Sequence, residues 1–144
     1  GYLAGYELKS ERDTLRRLPI QVDVYSQVLD LATLVVAENH HAHAAKVVPQ
    51  WWGVTVASTQ GDLVVLDVER PADMNEGVDA RSLVRLLWRE EALEELEFRG
   101  AANGLRSKPK GLLWERLVDV LALDELRDVV RARLKSRVGW RADR

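Results

Sequence analysis

The sequence predicts an α/β fold: a small mixed β-sheet flanked by helices, followed by an α-helical C-terminal region. Three observations predict it. Leu31-Ala32-Thr33-Leu34-Val35-Val36-Ala37 is an unbroken apolar run rich in branched residues, the pattern of a strand covered on both faces. Trp51–Ala57 and Leu63–Val68 flank the turn sequence Ser58-Thr59-Gln60-Gly61-Asp62, as a hairpin does. Beyond residue 80, leucines recur at helical spacing through three successive segments.

The elements follow in order. Gly1–Lys9 reads as a strand, the second arm of a hairpin whose first arm is absent. The first residue is Gly rather than Met, which points to a chain whose N-terminus has been removed. Ser10–Leu18 is a charged connector. Pro19 suits the first turn of a helix, and Ile20, Val24, Val28 and Leu31 recur at spacings near four, so a helix runs to about Asp30. After the strand 31–37, Asn39 caps a short helix through Lys46, closed by Pro49. The hairpin occupies 51–68, and a polar linker with Pro71 and Gly77 follows. Ala80–Phe98 carries Leu83, Leu86, Leu87, Leu93 and Leu96 at helical spacing, and Gly100–Gly104 ends it. Ser107 caps a helix with Pro109 in its first turn, carrying Leu113, Trp114, Leu117, Val118 and Leu121. Asp124-Glu125 open a last helix, acids suiting its positive end. The expected organisation is an α/β core over 1–70, a linker over 71–79 and a helical region over 80–144.

Composition narrows the function classes. The chain of 144 residues has no Cys, which excludes disulfides and thiolate metal sites. No apolar run reaches the roughly 20 residues that span a bilayer, and no signal peptide is visible, so the expected setting is cytoplasmic and away from membranes. Residues 1–105 hold 10 Lys+Arg against 17 Asp+Glu, whereas residues 106–144 hold 11 against 6. A basic C-terminal region on an acidic protein points toward nucleic acid; a solvated helical surface is the alternative.

The candidate site lies at the start of the chain. Glu7 and Lys9 are two apart on a strand, so their side chains share a face. Gln21 and Tyr25, four apart, share a face of the next helix. An acid and an amine aimed at one point suit a divalent metal with a phosphate beside it. Asn39-His40-His41-Ala42-His43 holds every histidine of the chain. Zinc sites need three or four ligands, and this stretch reads instead as a polar helix start. Of the tryptophans, one ring of Trp51-Trp52 is expected in the core, and Trp88 and Trp114 sit in apolar stripes and are expected there too.

At Glu7-Leu8-Lys9 the chain resembles the PD-(D/E)XK, or restriction-endonuclease-like, nuclease superfamily. Gln21-Val22-Asp23-Val24-Tyr25 looks like the Q-x-x-x-Y element of its RecB-type branch. The string from Gly5 through Arg17-Leu18-Pro19 to Trp51-Trp52-Gly53 resembles a small, uncharacterised bacterial branch. The resemblance implies a metal-dependent DNA nuclease of repair or defence. In it Glu7 and the Leu8 carbonyl would hold Mg²⁺ or Mn²⁺. Lys9 would orient the attacking water, and Gln21 and Tyr25 would support the phosphate. It also implies an Asp on a preceding strand. No strand precedes Gly1, so the expected metal site is incomplete and cleavage weak or absent.

Two rival readings stand beside it. One is a non-catalytic module that binds nucleic acid or a protein partner on a nuclease-like fold. The other is a phage or mobile-element factor that binds DNA through the helix after Ser107. Lys108 and Lys110 lie at that helix's N-terminus, where cations oppose the macrodipole unless an anion docks on the free N–H groups. With Arg106 and Arg116 they form a candidate nucleic-acid contact. Oligomeric state is not legible in the sequence.

Overall fold

The computed structural model describes residues 1–138, which divide into two compact units, Tyr2–Val78 and Asp79 onward with Gly1. It is an α/β fold: a four-stranded mixed sheet, with a helical C-terminal part.

In the first unit the chain runs β1 (Ala4–Lys9), α1 (Leu18–Ser26), β2 (Leu31–Ala37), α2 (Glu38–Val47), β3 (Gly53–Gln60) and β4 (Leu63–Arg70). The strands lie in sequence order. β1, β2 and β3 pair in parallel, each link made by a crossover helix, and β4 returns antiparallel to β3. Gly61, at φ +62°, makes the tight turn between β3 and β4.

Both crossover helices pack on one face of the sheet. The core there joins Leu18 and Val22 of α1, Ala44 of α2, Ala32, Leu34 and Val36 of β2, Val54 of β3, and Trp52. Trp52 is wholly buried; its ring stacks on Tyr25 at 6.3 Å and its indole N–H donates to Ser26 Oγ at 3.3 Å. Trp51 stays half-buried. Two expectations differ from the structure. Ile20 and Val24, spaced four apart, are exposed, and α1 buries the stripe of Leu18 and Val22 instead. The apolar run of β2 is fully buried on one face, through Ala32, Leu34 and Val36, while on the other Leu31, Thr33 and Val35 are half-buried and Ala37 alone is buried.

Residues 71–78 are tied to this unit. Asp73 N–H donates to Trp51 O at 2.8 Å. Buried Asn75 donates its side-chain amide to Ser26 O and Leu29 O, at 2.7 and 2.8 Å, and its backbone N–H to Asp30 O, while its carbonyl oxygen accepts from Gly77 N–H. The Arg70 guanidinium ties the end of β4 to Trp52 O, Pro49 O and Gln50.

The second unit holds α3 (Ala80–Leu83), a 3₁₀ turn (Val84–Leu86), α4 (Arg89–Phe98), α5 (Lys110–Val120) and α6 (Leu123–Ser136). Asp79 caps α3 by accepting from Ser82 N–H at 2.8 Å, and hydrogen bonds from the Ser82 side chain first and its backbone second lower the Asp79 carboxyl pKa. The single helix expected over 80–98 is therefore broken. Leu87 and Trp88 are extended, and Glu91 reaches back to accept from Trp88 N–H at 2.8 Å. That return bond restarts the helix at Arg89. Leu83, Val84, Leu87, Leu96, Leu113, Leu117, Leu126 and Val130 are buried. Trp114 is half-buried and donates to Leu87 O at 3.2 Å. Trp88 is 53% exposed and not a core residue; its ring is covered by the Arg137 guanidinium at 4.1 Å. No helix among the described residues is long and apolar enough to cross a membrane.

Candidate functional site

Two places bring together residues picked out in the sequence. The first is under the sheet. The period-2 alternation of β1 puts Glu7 and Lys9 on the face covered by helices, in register with Leu34 and Val36. Both are buried, at 8% and 6% exposure. Lys9 Nζ lies 3.1 Å from Glu7 Oε1 and donates to Gln21 Oε1 at 2.9 Å. Strand and helix thus converge on one ammonium, and Glu7, Lys9 and Gln21 form a closed polar cluster. Tyr25 stacks on Trp52, and the Leu8 side chain points to the opposite face, 66% exposed.

A buried carboxylate held against an ammonium is already neutralised. Among the described residues no group of three or more His, Cys, Asp or Glu side chains comes together to hold a metal ion. The donor set there is one carboxylate already paired with a cation, which does not suit Mg²⁺ or Mn²⁺. The histidines of α2 are spread: His41 pairs with Glu69 on β4, while His40 turns its ring inward.

The second place is the start of α5. Pro109 is the N-cap, at φ −65° and ψ 153°, and no side chain caps the helix. Ser107 precedes the cap rather than forming it. Lys110 is consequently the first helical residue, and Lys108 lies just outside. Both are exposed. Lys110 lies over the Trp114 ring at 5.1 Å. The loop leading into the helix is held by Arg89, whose guanidinium donates to Arg106 O and Lys108 O at 2.7 and 3.0 Å. Arg106 projects outward, 73% exposed, with Glu97 at 2.8 Å. Arg116 is half-buried and donates to Ala101 O at 3.4 Å. Of the four cations singled out in the sequence, Lys108 and Lys110 are the ones that stand at the free helix end.

A groove of about 410 Å³ opens beside them, lined by Arg81 and Arg85 on one side and by Lys110 and Trp114 on the other, with Glu115 and Asp119 on its wall. Arg81 and Arg85 are absent from the sequence reading. Their spacing of four within a leucine-rich segment was the available signal, but it marks only a shared helix face. Their approach to Lys110 comes from the packing of α3 and the 3₁₀ turn on α5.

No curated protein and no solved structure matches the chain. A family model does: the one described as Bacteriophage P4 protein cII matches residues 1–143. This finding overturns the resemblance to PD-(D/E)XK nucleases and, with it, the expectations of a hydrolase and of DNA repair. The roles in phosphodiester cleavage expected for Glu7, Leu8, Lys9, Gln21 and Tyr25 rested on that resemblance and have no other support. The E-x-K spacing misled for a physical reason. Alternation along a strand places an acid and an amine on one face whether they serve a metal or each other, and here the ammonium and the carboxylate are partners. The chain belongs to the bacteriophage P4 protein cII family.

Proposed function

We propose that the chain is a non-catalytic phage regulatory module that binds DNA through the basic rim at the start of α5. The observation that carries the reading is the position of Lys108 and Lys110 at an uncapped helix N-terminus, where Lys110 lines one groove with Arg81 and Arg85. At this helix start Pro109 has no N–H and Leu112 N–H donates to Pro109 O at 3.1 Å, which leaves the N–H groups of Lys110 and Gly111 to face an anion. Cations beside them are unfavourable by about 0.3–1 kcal/mol each through the macrodipole. A phosphate reverses that sign, because it accepts from the N–H groups and pairs with the lysines. Trp114 under Lys110 offers a flat apolar wall beside the phosphate track. Glu115 and Asp119 line the same groove and repel the backbone there, which confines an anion to the end with Arg81, Arg85 and Lys110. The family match supports a phage protein in this role rather than an enzyme.

The test is fluorescence anisotropy on duplex DNA across a salt series. Each phosphate contact adds about 0.9 to the slope of log K against log salt. Lys108→Glu with Lys110→Glu is expected to weaken binding at least about tenfold and to lower the slope by about 2. Absence of binding to any duplex at low salt, or binding that ignores both substitutions, overturns the reading.

A further inference from the structure

β4 ends one side of the sheet and pairs with β3 alone. Its residues from Leu63 to Glu69 are exposed throughout. The hairpin fixes where their backbone points. Gln60 and Leu63 pair across the two-residue turn Gly61-Asp62, so they exchange hydrogen bonds. Alternation makes Ser58 with Val65, and Val56 with Asp67, hydrogen-bonded pairs as well. Val64, Leu66 and Val68 fall between them and turn N–H and C=O away from β3, to the free edge. Among the described residues no other backbone group bonds to them. The stretch Leu63–Val68 has one charge, Asp67, and no Pro, Gly or Lys to guard the edge. It ends where the pairing passes over Glu69, since Thr55 pairs with Val68 and Val54 with Arg70.

We propose that β4 pairs antiparallel with β4 of a second copy, joining two sheets along this edge. A free edge of exposed apolar residues is a template for another strand. The register selects the partner. A two-fold axis through the interface sets one residue opposite its own copy, with its neighbours matched at equal steps on either side. Centred on Leu66, the pairing engages all three outward residues. Leu66 meets Leu66 and Val64 meets Val68 twice, with about six backbone hydrogen bonds. Asp67 meets Val65, so no like charges are opposed. Other registers do worse. Centred on Asp67 the pairing opposes two aspartates, and centred on Val68 it opposes Asp67 and Glu69. Centred on Val65 or Val64 it leaves outward groups unmatched. The chain itself therefore supplies the strand that completes its edge, apolar residues spaced about one central leucine. The inference does not rest on the DNA reading, because β4 lies in the unit Tyr2–Val78 and the basic rim in the other.

The experiment is sedimentation equilibrium on the parent and Leu66→Pro, with oxidation of Leu66→Cys and Val64→Cys by glutathione disulfide. Proline removes the Leu66 N–H, which β3 does not use, so the hairpin keeps its own bonds; far-UV circular dichroism checks the fold. The chain has no Cys, so a disulfide between protein chains joins two copies at the introduced residue. In the proposed register the two copies of residue 66 stand about 5.5 Å apart at Cα, within disulfide reach, and the two copies of residue 64 about 13 Å apart. The expected results are a dimer for the parent, a dimer at least about tenfold weaker for Leu66→Pro, and a covalent dimer from Leu66→Cys but not from Val64→Cys. Four results overturn the proposal. One is a parent that stays monomeric at about 100 µM, where even weak specific pairs of Kd near 10 µM associate. Another is a dimer unchanged in folded Leu66→Pro. A third is cross-linking that is absent from Leu66→Cys or equal in both cysteine variants; these two decide alone if Leu66→Pro does not fold. The last is a mass that grows past the dimer with concentration, which means β4 pairing with β1 of the next copy.

Discussion

Arg137 grips Glu91 with two charge-assisted hydrogen bonds, Nη2 to Oε2 at 2.6 Å and Nε to Oε1 at 2.8 Å. The same guanidinium donates to Leu86 O at 2.7 Å and covers the Trp88 ring. Glu91 also accepts from Trp88 N–H, so one carboxylate joins the start of α4 to the residue after α6. The Arg137 hydrogen bonds lower the Glu91 pKa more than burial raises it.

That shift has a sign. A carboxyl whose pKa is lower folded than unfolded contributes stability that is complete above the ordinary glutamate range and is lost as pH falls through the lowered value. Thermal melts of the parent and Glu91→Gln from pH 7 to pH 3 are expected to converge as the acid end is approached. At pH 7 the variant loses about 3 kcal/mol, typical of breaking a mostly buried pair from one side. Parallel curves at all pH values would contradict this account.

The Glu7–Lys9 pair predicts a non-additive result. Removing one partner leaves a buried charge uncompensated, so Glu7→Leu or Lys9→Met alone costs about 3–5 kcal/mol. The double substitution Glu7→Leu with Lys9→Met costs much less than the sum, about 1 kcal/mol, because the apolar replacements join the neighbouring Leu34 and Val36. Urea unfolding of the four proteins measures the coupling. Additive losses would show that the two side chains act separately.

Asn75 holds three backbone groups from its buried position. Asn75→Leu is similar in size but leaves the Ser26 and Leu29 carbonyls and Gly77 N–H without their partner. The expected cost is about 2–3 kcal/mol, from the desolvation of orphaned groups. Hydrogen exchange at Gly77 should rise by at least about tenfold in the variant.

Gly53 predicts a steric effect. A Cβ there would stand 2.8 Å from Thr33 Oγ1 and 2.9 Å from the Ala72 backbone nitrogen. The hydroxyl can turn aside and the backbone nitrogen cannot, so Gly53→Ala should cost about 1–3 kcal/mol through displacement of the segment after β4. Gly111→Ala, with nothing within 4 Å in the way, should instead stabilise α5 by about 0.5–1 kcal/mol. Thermal melts of the two variants check the opposite signs.

Local order was legible in the chain's residues. Alternation in Tyr6-Glu7-Leu8-Lys9 put the acid and the amine on one face, and they are together. The branched run Leu31–Ala37 is β2 to the residue, and the Gly61 turn joins β3 to β4. Period and turn chemistry act over a few residues, so they are written in neighbouring positions. Long-range packing, by contrast, set what each face meets. The apolar β2 run fits a strand sealed on both sides, yet both crossover helices lie on one side and leave Leu8, Leu66 and Val68 in the open. Leucine spacing over 80–98 fits one helix, yet the bond from Trp88 N–H to Glu91, itself held by a residue 46 positions away, divides it. Arg81 and Arg85 meet Lys110 across a groove because packed helices adjoin, and no spacing encodes that. Acid and amine were legible as neighbours but not in their relation, because a shared strand face is the same whether it holds a metal ligand set or an internal ion pair. Burial and the partner at 3.1 Å distinguish the two, and both are properties of the folded chain.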